Sequence, residues 1–379
     1  MIDANDNGRE LQLAIYDPTR AAQGCAHNAS CPASTACPGG LTHMGWDPVQ
    51  GGDECGHGGK VLSHGQKGDA LELVVQPMQW NPDWDQPSCV ENPCPVAGRP
   101  VAVTYTFQLR YLTEHVVEVM SQVASQETID HPSTEQEFPT LYVNHGNGGP
   151  DLELLLDAAG QAVTIATPAN DGFFVGNFDS PAPWVTWQRS GQTYGVGLAM
   201  DQGIKAFQGW RGDQTRTYFH NVRARISFGL GAGRTVRGLS YLALGDFATV
   251  KNELDGVFAR RPPFGTLDVP AAGDTPYAPG QPLRVAGWAL DSATLGPVEV
   301  SVDGAVVATL PLTSVRPDVC AVYPGYAGCP AVGFSGPVTI AATGPCPHLL
   351  RVTARDAQGN ATVLGERRLV VSLPKQPVE

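Results

Sequence analysis

The stretch VAVTYTFQLRY, Val101–Tyr111, decides the fold class. Its odd positions, Val101, Val103, Tyr105, Phe107, Leu109 and Tyr111, are apolar, and its even positions are mostly Thr, Gln and Arg. A period of two with β-branched and aromatic residues predicts a half-buried antiparallel strand. The same alternation opens LELVVQ (Leu71–Gln76) and runs through TYGVGLAM, with Tyr194, Val196, Leu198 and Met200 on one face. In YFHNVRARISF it sets Tyr218, His220, Val222, Ala224, Ile226 and Phe228 against Arg223 and Arg225. Only DFATVKNELDGVF (Asp246–Phe258) has helical spacing, through Phe247, Val250, Leu254 and Phe258. One short helix among many strands predicts an all-β protein.

The chain of 379 residues is long enough for two domains, and its 44 glycines and 32 prolines mark many turns. A boundary is expected in ARRPPFGTLDVPAAGDTPYAPGQ (Ala259–Gln281), which gives a large antiparallel β-sandwich over 1–262 and a small β-sandwich over 263–379. In the second part, VDGAV and DAQGN read as hairpin turns between short strands.

The net charge of −13 argues against nucleic acid and against an anionic membrane surface as partners. No apolar run is long enough to span a bilayer. Of nine cysteines, Cys25, Cys31, Cys37, Cys55, Cys89 and Cys94 sit early among Gly, Pro, Asn and Ser, and none forms CxxC. That pattern fits disulfide-braced loops of an exported protein, extracellular or periplasmic, better than a zinc ribbon. The opening MIDANDNGRE has neither a basic stretch nor an apolar core, so the sequence is expected to be a mature form carrying a start Met. A cytoplasmic protein is the alternative.

GWALD (Gly287–Asp291), VEVSVDG, RPDVCAVYPGYAGCPAVGFS (Arg316–Ser335) and RVTARDAQGN resemble a bacterial immunoglobulin-like module of secreted proteins, over roughly residues 264–373. The resemblance implies a spacer or adhesion unit, in which Cys320 and Cys329 would close a small loop and Cys346 would be left over. The first 260 residues resemble the β-supersandwich of galactose-mutarotase-like carbohydrate enzymes and their lyase relatives. That likeness lies in the order of a polar first strand, WDPVQGGD, LELVVQPMQW, a long strand pair and EQEFPTLYVN. It implies the supersandwich fold and carries no catalytic residue over.

Four stretches could carry chemistry. In NDNGRELQ, Asp3, Asn5, Asn7 and Gly8 match the first half of a calcium loop, but its twelfth position is Ala14 where a bidentate Glu is needed. A turn entering a strand is the main expectation, with a loose Ca2+ loop of Asp3, Asn5 and Asp6 as the alternative. Leu11, Leu13 and Ile15 form one face there, Glu10, Gln12 and Tyr16 the other. Arg9 falls in apolar phase, so if buried it needs Asp6 or Asp47 as a partner. In GWDPVQGGDECGHGG (Gly45–Gly59), Trp46 offers a stacking face with Asp47, Gln50, Asp53 and His57 around it, the furniture of a sugar site or a braced polar loop. MQWNPDWDQ and WVTWQ hold Trp80, Trp84, Trp184 and Trp187, which would line a carbohydrate cleft or fill the core. In EQEFPTLYVNHGNGG (Glu135–Gly149), Glu137 is in phase with Leu141 and Val143, and His145 follows. Glu137 and His145 would serve as a base and acid pair, with His57 and Asp53 converging on them, or Glu137 is buried against Arg9 or Arg223.

The RGD at Arg211–Asp213 is a tripeptide that recurs by chance, and no GxSxG, HExxH or P-loop is present. The expected function is a carbohydrate-active protein acting as hydrolase or lyase on an extracellular glycan. The alternatives are a non-catalytic glycan-binding or adhesion protein, or a structural component of a surface layer or filament.

Overall fold

A computed structural model describes residues 11–16, 43–44, 57–79, 98–144, 152–165, 174–211, 219–341 and 346–372. The described chain is nearly all β, built from sheets whose strands are antiparallel except for one parallel pair in the second unit. It divides into two compact units: Met1–Gly256 with Ala321–Gly325, and Val257–Cys320 with Tyr326–Glu379.

The first unit contains strands β1 (Leu11–Tyr16), β2 (His43–Met44), β3 (Lys60–Lys67), β4 (Ala70–Gln76), β5 (Val103–Tyr111), β6 (Val116–Ser125), β7 (His131–Asn144) and β8 (Leu154–Asp157). These are followed by β9 (Phe174–Asp179), β10 (Trp184–Gln188), β11 (Gly195–Met200), β12 (Ala206–Arg211), β13 (Phe219–Ala224), β14 (Ile226–Leu230) and β15 (Thr235–Gly245). One sheet has the order β2-β1-β7-β13-β12-β9, with β14 also paired to β7. The other runs β3-β4-β5-β6-β15-β11-β10-β8. The core lies between them, where Leu13, Ile15, Phe138, Leu141, Val222 and Phe207 of the first sheet meet Val103, Tyr105, Val119, Trp187 and Leu198 of the second. Alternation in β5 holds from Val101 to Phe107 and then fades: Tyr111, at the strand's end, is 77% exposed. At this end of the sheet β3 is exposed along its whole length and pairs with β4 alone among the described residues.

The run YFHNVRARISF, read as one alternation, is two strands. It breaks after Ala224, and both pieces pair with the long β7: β13 with Thr140–Asn144 and β14 with His131–Gln136. A second irregularity lies opposite β1. Gln12 pairs with Thr140 and Ala14 with Glu137, so β7 takes three steps where β1 takes two. The extra residue falls at Phe138–Pro139. Proline cannot donate to the ladder, and a bulge is where a strand tolerates it.

Helix α1 (Phe247–Arg260) starts one residue later than its spacing suggests, because Asp246 caps it: its Oδ1 accepts the Thr249 amide at 2.7 Å. That bond holds the Asp246 carboxyl below the usual carboxylate range. Val250 and Leu254 are fully buried over Gly197 of β11. A Cβ on Gly197 would stand 2.5 Å from Val250 Cγ1, so the glycine is what allows the helix to lie on the sheet. Beside it, Trp184 donates its indole N–H to Asp255 Oδ1 at 2.8 Å, under the helix.

The second unit contains β16 (Phe264–Val269), β17 (Asp274–Tyr277), β18 (Pro282–Leu290), β19 (Val298–Val302), β20 (Ala305–Leu310), β21 (Leu312–Ser314), β22 (Gly333–Thr339), β23 (His348–Arg355) and β24 (Ala361–Val371). Sheets β16-β18-β22-β21 and β17-β24-β23-β19-β20 enclose a core of Val285, Val300, Phe334, Val338, Leu350 and Val352. VDGAV is the β19–β20 turn. Asp303 and Gly304 both take positive φ, 52° and 86°, the requirement of a type I′ hairpin. A disulfide joins Cys320, in helix α2 (Pro317–Val322), to Cys329, and Cys346 is free and exposed.

Two substitutions test this packing. Trp187→Ala should lower unfolding free energy by about 3–5 kcal/mol in urea titrations, as expected for a large ring removed from a core. Gly197→Ala should cost about 1–3 kcal/mol through overpacking beneath α1, with β-sheet circular dichroism preserved.

Candidate functional site

Because side chains alternate, the strands that send Leu11, Leu141, Val222 and Phe207 into the core must send their neighbours the other way. Register aligns these neighbours into a row across five strands: Gln12, Thr140, Arg223, Gln208 and Asn177. A second row carries Tyr142, Asn221 and Trp210. Most of this polar face is shielded from water: Gln12, Thr140, Asn221, Arg223 and Gln208 are each buried, while Asn177 is exposed and Trp210 partly so.

Glu137 joins the face at its centre and is 5% exposed. The Tyr16 hydroxyl donates to its Oε1 at 3.0 Å. Arg223 Nη1 stands 3.8 Å from the same oxygen, an ion pair too long for a hydrogen bond. The guanidinium lies over the Tyr16 ring, 5.7 Å from its centroid. Its Nε and Nη2 donate to Gln208 Oε1 at 3.0 and 2.7 Å. Trp210 Nε1 donates to that same oxygen at 3.0 Å, and Gln208 Nε2 donates to Asn177 Oδ1 at 2.9 Å. Hydrogen bonds thus lead from the exposed Asn177 amide through Gln208 to Arg223, which faces the buried Glu137–Tyr16 pair through an ion pair and a cation–π contact. On the other flank Glu135 accepts from Arg225 Nε at 2.8 Å and stands 3.8 Å from Arg223 Nη2.

Burial sets the proton affinities. It pushes the Glu137 carboxyl above its ordinary value, and the nearby Arg223 charge and the bonds from Tyr16 only partly offset it. Tyr16 is pushed up by burial first and by the Glu137 charge second, and Tyr142 by the same two causes in the same order. Glu137 is therefore a carboxyl that keeps its proton above the usual range, next to a phenol that does not ionise near neutrality. Such a pair can give up and recover one proton.

Glu137 and Gln12 are on this face, and Gln12 Oε1 is buried without a hydrogen-bond partner. The expectation that Glu137 shares a face with Leu141 and Val143 is corrected: the extra residue at Phe138–Pro139 turns it outward to Tyr16 and Arg223. Trp187 is 1% exposed and stacks on His220, with centroids 4.9 Å apart between the sheets, so it packs the core and faces no open cleft. His57 precedes β3, the edge strand of the other sheet, and is partly exposed. Asp3, Asn5, Asp6, Arg9, Trp46, Asp47, Gln50, Asp53, Trp80, Trp84 and His145, with the six early cysteines, lie outside the described residues. The sequence reading did not single out Tyr16, Asn177, Gln208 or Trp210. For Gln208 and Trp210 a signal was present as alternation in AFQGWR, but which strands lie side by side was not.

No known protein family matches the chain, and no curated protein does. Among solved structures, a galactose mutarotase-like protein from Clostridium acetobutylicum overlaps 50% of this chain and 67% of its own, at 9% identity and TM-score 0.31. A polysaccharide lyase overlaps 83% of this chain and 47% of its own, at 10% identity and TM-score 0.26. Fibronectin(III)-like modules of CbhA from Clostridium thermocellum overlap 55% of this chain and 93% of their own, at 15% identity and TM-score 0.20. Overlaps this slight say nothing about chemistry, and the reading of the site rests on its own residues.

Proposed function

We propose that this is an exported carbohydrate-active protein, extracellular or periplasmic, that holds a glycan against the polar face of the first sheet and cleaves it as a hydrolase or lyase. The observation that carries this reading is the buried Glu137–Tyr16–Arg223 cluster, set on a sheet face that also carries the amides Gln12, Gln208, Asn221 and Asn177 and the aromatic rings of Tyr142 and Trp210. Sugars dock on aromatic faces and exchange hydrogen bonds with amides. Glu137 gives its proton to the glycosidic oxygen as that oxygen's bond to the sugar carbon breaks; in hydrolysis water adds to the carbon and releases a proton, and in elimination a sugar C–H proton leaves to water as a double bond forms. Tyr16 holds the carboxyl in place, and Arg223 faces the negative charge that remains on it. The Cys320–Cys329 disulfide supports an oxidising compartment. The second unit serves as an immunoglobulin-like spacer or adhesion module. A loose calcium loop of Asp3, Asn5 and Asp6, which precede β1 in the sequence, is part of the same proposal.

A non-catalytic glycan-binding role is the second reading. It is favoured by the two partners that already occupy Glu137. A polysaccharide screen that records binding, new reducing ends and unsaturated products separates the two: products support the first reading, binding alone the second.

Where products form, Glu137→Gln should lower the rate about 100- to 10,000-fold, the usual worth of a positioned proton donor. The protonated form is the active one, so the wild-type rate should fall as pH rises through the raised Glu137 value, at higher pH than for an ordinary carboxyl. Stability gives a second readout. A folded state that binds this proton more tightly than the unfolded chain loses stability as pH rises between the two values. Urea titrations against pH should show that loss in the wild type and a flatter profile in Glu137→Gln.

A further inference from the structure

A guanidinium has donors on all three nitrogens, and Arg223 uses them unevenly. Its Nε and Nη2 both donate to Gln208 Oε1, at 3.0 and 2.7 Å. Its Nη1 is buried without a hydrogen-bond partner, although Glu137 Oε1 lies 3.8 Å away. A guanidinium free to meet a carboxylate closes to about 2.7–2.9 Å. Here the neutral amide takes the short bonds and the carboxyl is left one step out of reach.

Gln208 is itself held on both sides. Its Oε1 also accepts from Trp210 Nε1 at 3.0 Å, and its Nε2 donates to Asn177 Oδ1 at 2.9 Å. Guanidinium and indole are donors only, so the amide oxygen must face them and the amide cannot flip. Gln208 and Arg223 stand directly opposite each other on β12 and β13, and both are buried. Among the described residues, the titratable groups that face Glu137 are Tyr16 from β1, Arg223 from β13 and Tyr142 from β7 itself. Both phenols are pushed up by burial and stay neutral, so Arg223 is the cation among them. Its distance sets how far the charged form of the carboxyl is favoured.

Taking Glu137 as the proton donor of the reading above, we infer that Gln208 is a positioning residue. It holds Arg223 one hydrogen bond short of Glu137 and so keeps the carboxyl able to release and recover its proton.

The test is a pH titration of the full chain with 13C-labelled glutamate side chains, followed by NMR. The Glu137 signal is the one missing from Glu137→Gln. Gln208→Met keeps the volume and removes the acceptor, which frees the guanidinium to close on Glu137. The Glu137 midpoint should then fall by about one pH unit. That fall should vanish when Arg223→Gln is added, because it travels through the cation. Gln208→Glu restores an acceptor for Arg223, and its midpoint should lie at or above the wild-type one. An unchanged midpoint in Gln208→Met, with Arg223 turning to Glu135 instead, would overturn the inference. So would a fall that persists beside Arg223→Gln. Should Gln208→Met not fold, Gln208→Glu decides: a lowered midpoint there overturns the inference equally. The titration uses no glycan, so a polysaccharide screen without products would remove the role of Glu137 in cleavage while the midpoints alone judge Gln208.

Discussion

Between Glu137 and Thr140, β7 takes three steps while β1 takes two. A shift of one residue moves every side chain beyond it to the opposite face. Phe138 is thereby committed to the core with Leu141 and Val143, and Glu137 to the other side with Thr140. Without the extra residue, a carboxyl would point into a layer of valine, leucine and aromatic side chains, where no cation waits for it. With it, the same carboxyl meets a phenol and a guanidinium. The core and the site are consequently set by one local irregularity, on the strand that also pairs with β13 and β14.

The balance of forces around Glu137 follows from distance. Arg223 is close enough to attract and too far to bond, so the loss of hydration outweighs the attraction. Arg223 itself is tied more tightly to a neutral amide than to either carboxylate: its shortest contact is 2.7 Å, to Gln208. That geometry keeps the cation fixed by the sheet, while leaving the carboxyl free to change its charge. The arrangement differs from Glu135 and Arg225, which close to 2.6 Å near solvent and act as an ordinary surface pair.

Alternation in the sequence was enough to read the class of fold, the apolar faces of β5, β11 and β13, the position of α1 and the Asp303–Gly304 turn. These are local patterns whose period or turn chemistry needs no knowledge of neighbours. Glu137 stood out for the same reason, although on the wrong face, because a bulge is invisible to a count of two. Tyr16, Arg223, Gln208 and Asn177 come from four different strands, and only the strand order brings them together. Tryptophans misled in the opposite direction. WVTWQ has the composition of a sugar cleft, yet Trp184 lies beneath a helix and Trp187 between the sheets. Composition states what a ring could do, and burial decides what it does.

The open edge of the second sheet has its own consequence. Among the described residues β3 pairs with β4 alone and is exposed along its length, and an edge row of backbone groups is a template on which further strands can grow. Its sequence works against such growth. Lysines stand at both ends, at Lys60 and Lys67, and the ladder is broken between Val61 and Ser63. Two copies meeting edge to edge in antiparallel fashion would set Lys60 opposite Lys67, although Lys67 is already paired with Glu72 at 2.9 Å, and would meet an offset in the middle. Terminal lysines and a register break are the means by which an edge strand discourages edge-to-edge pairing.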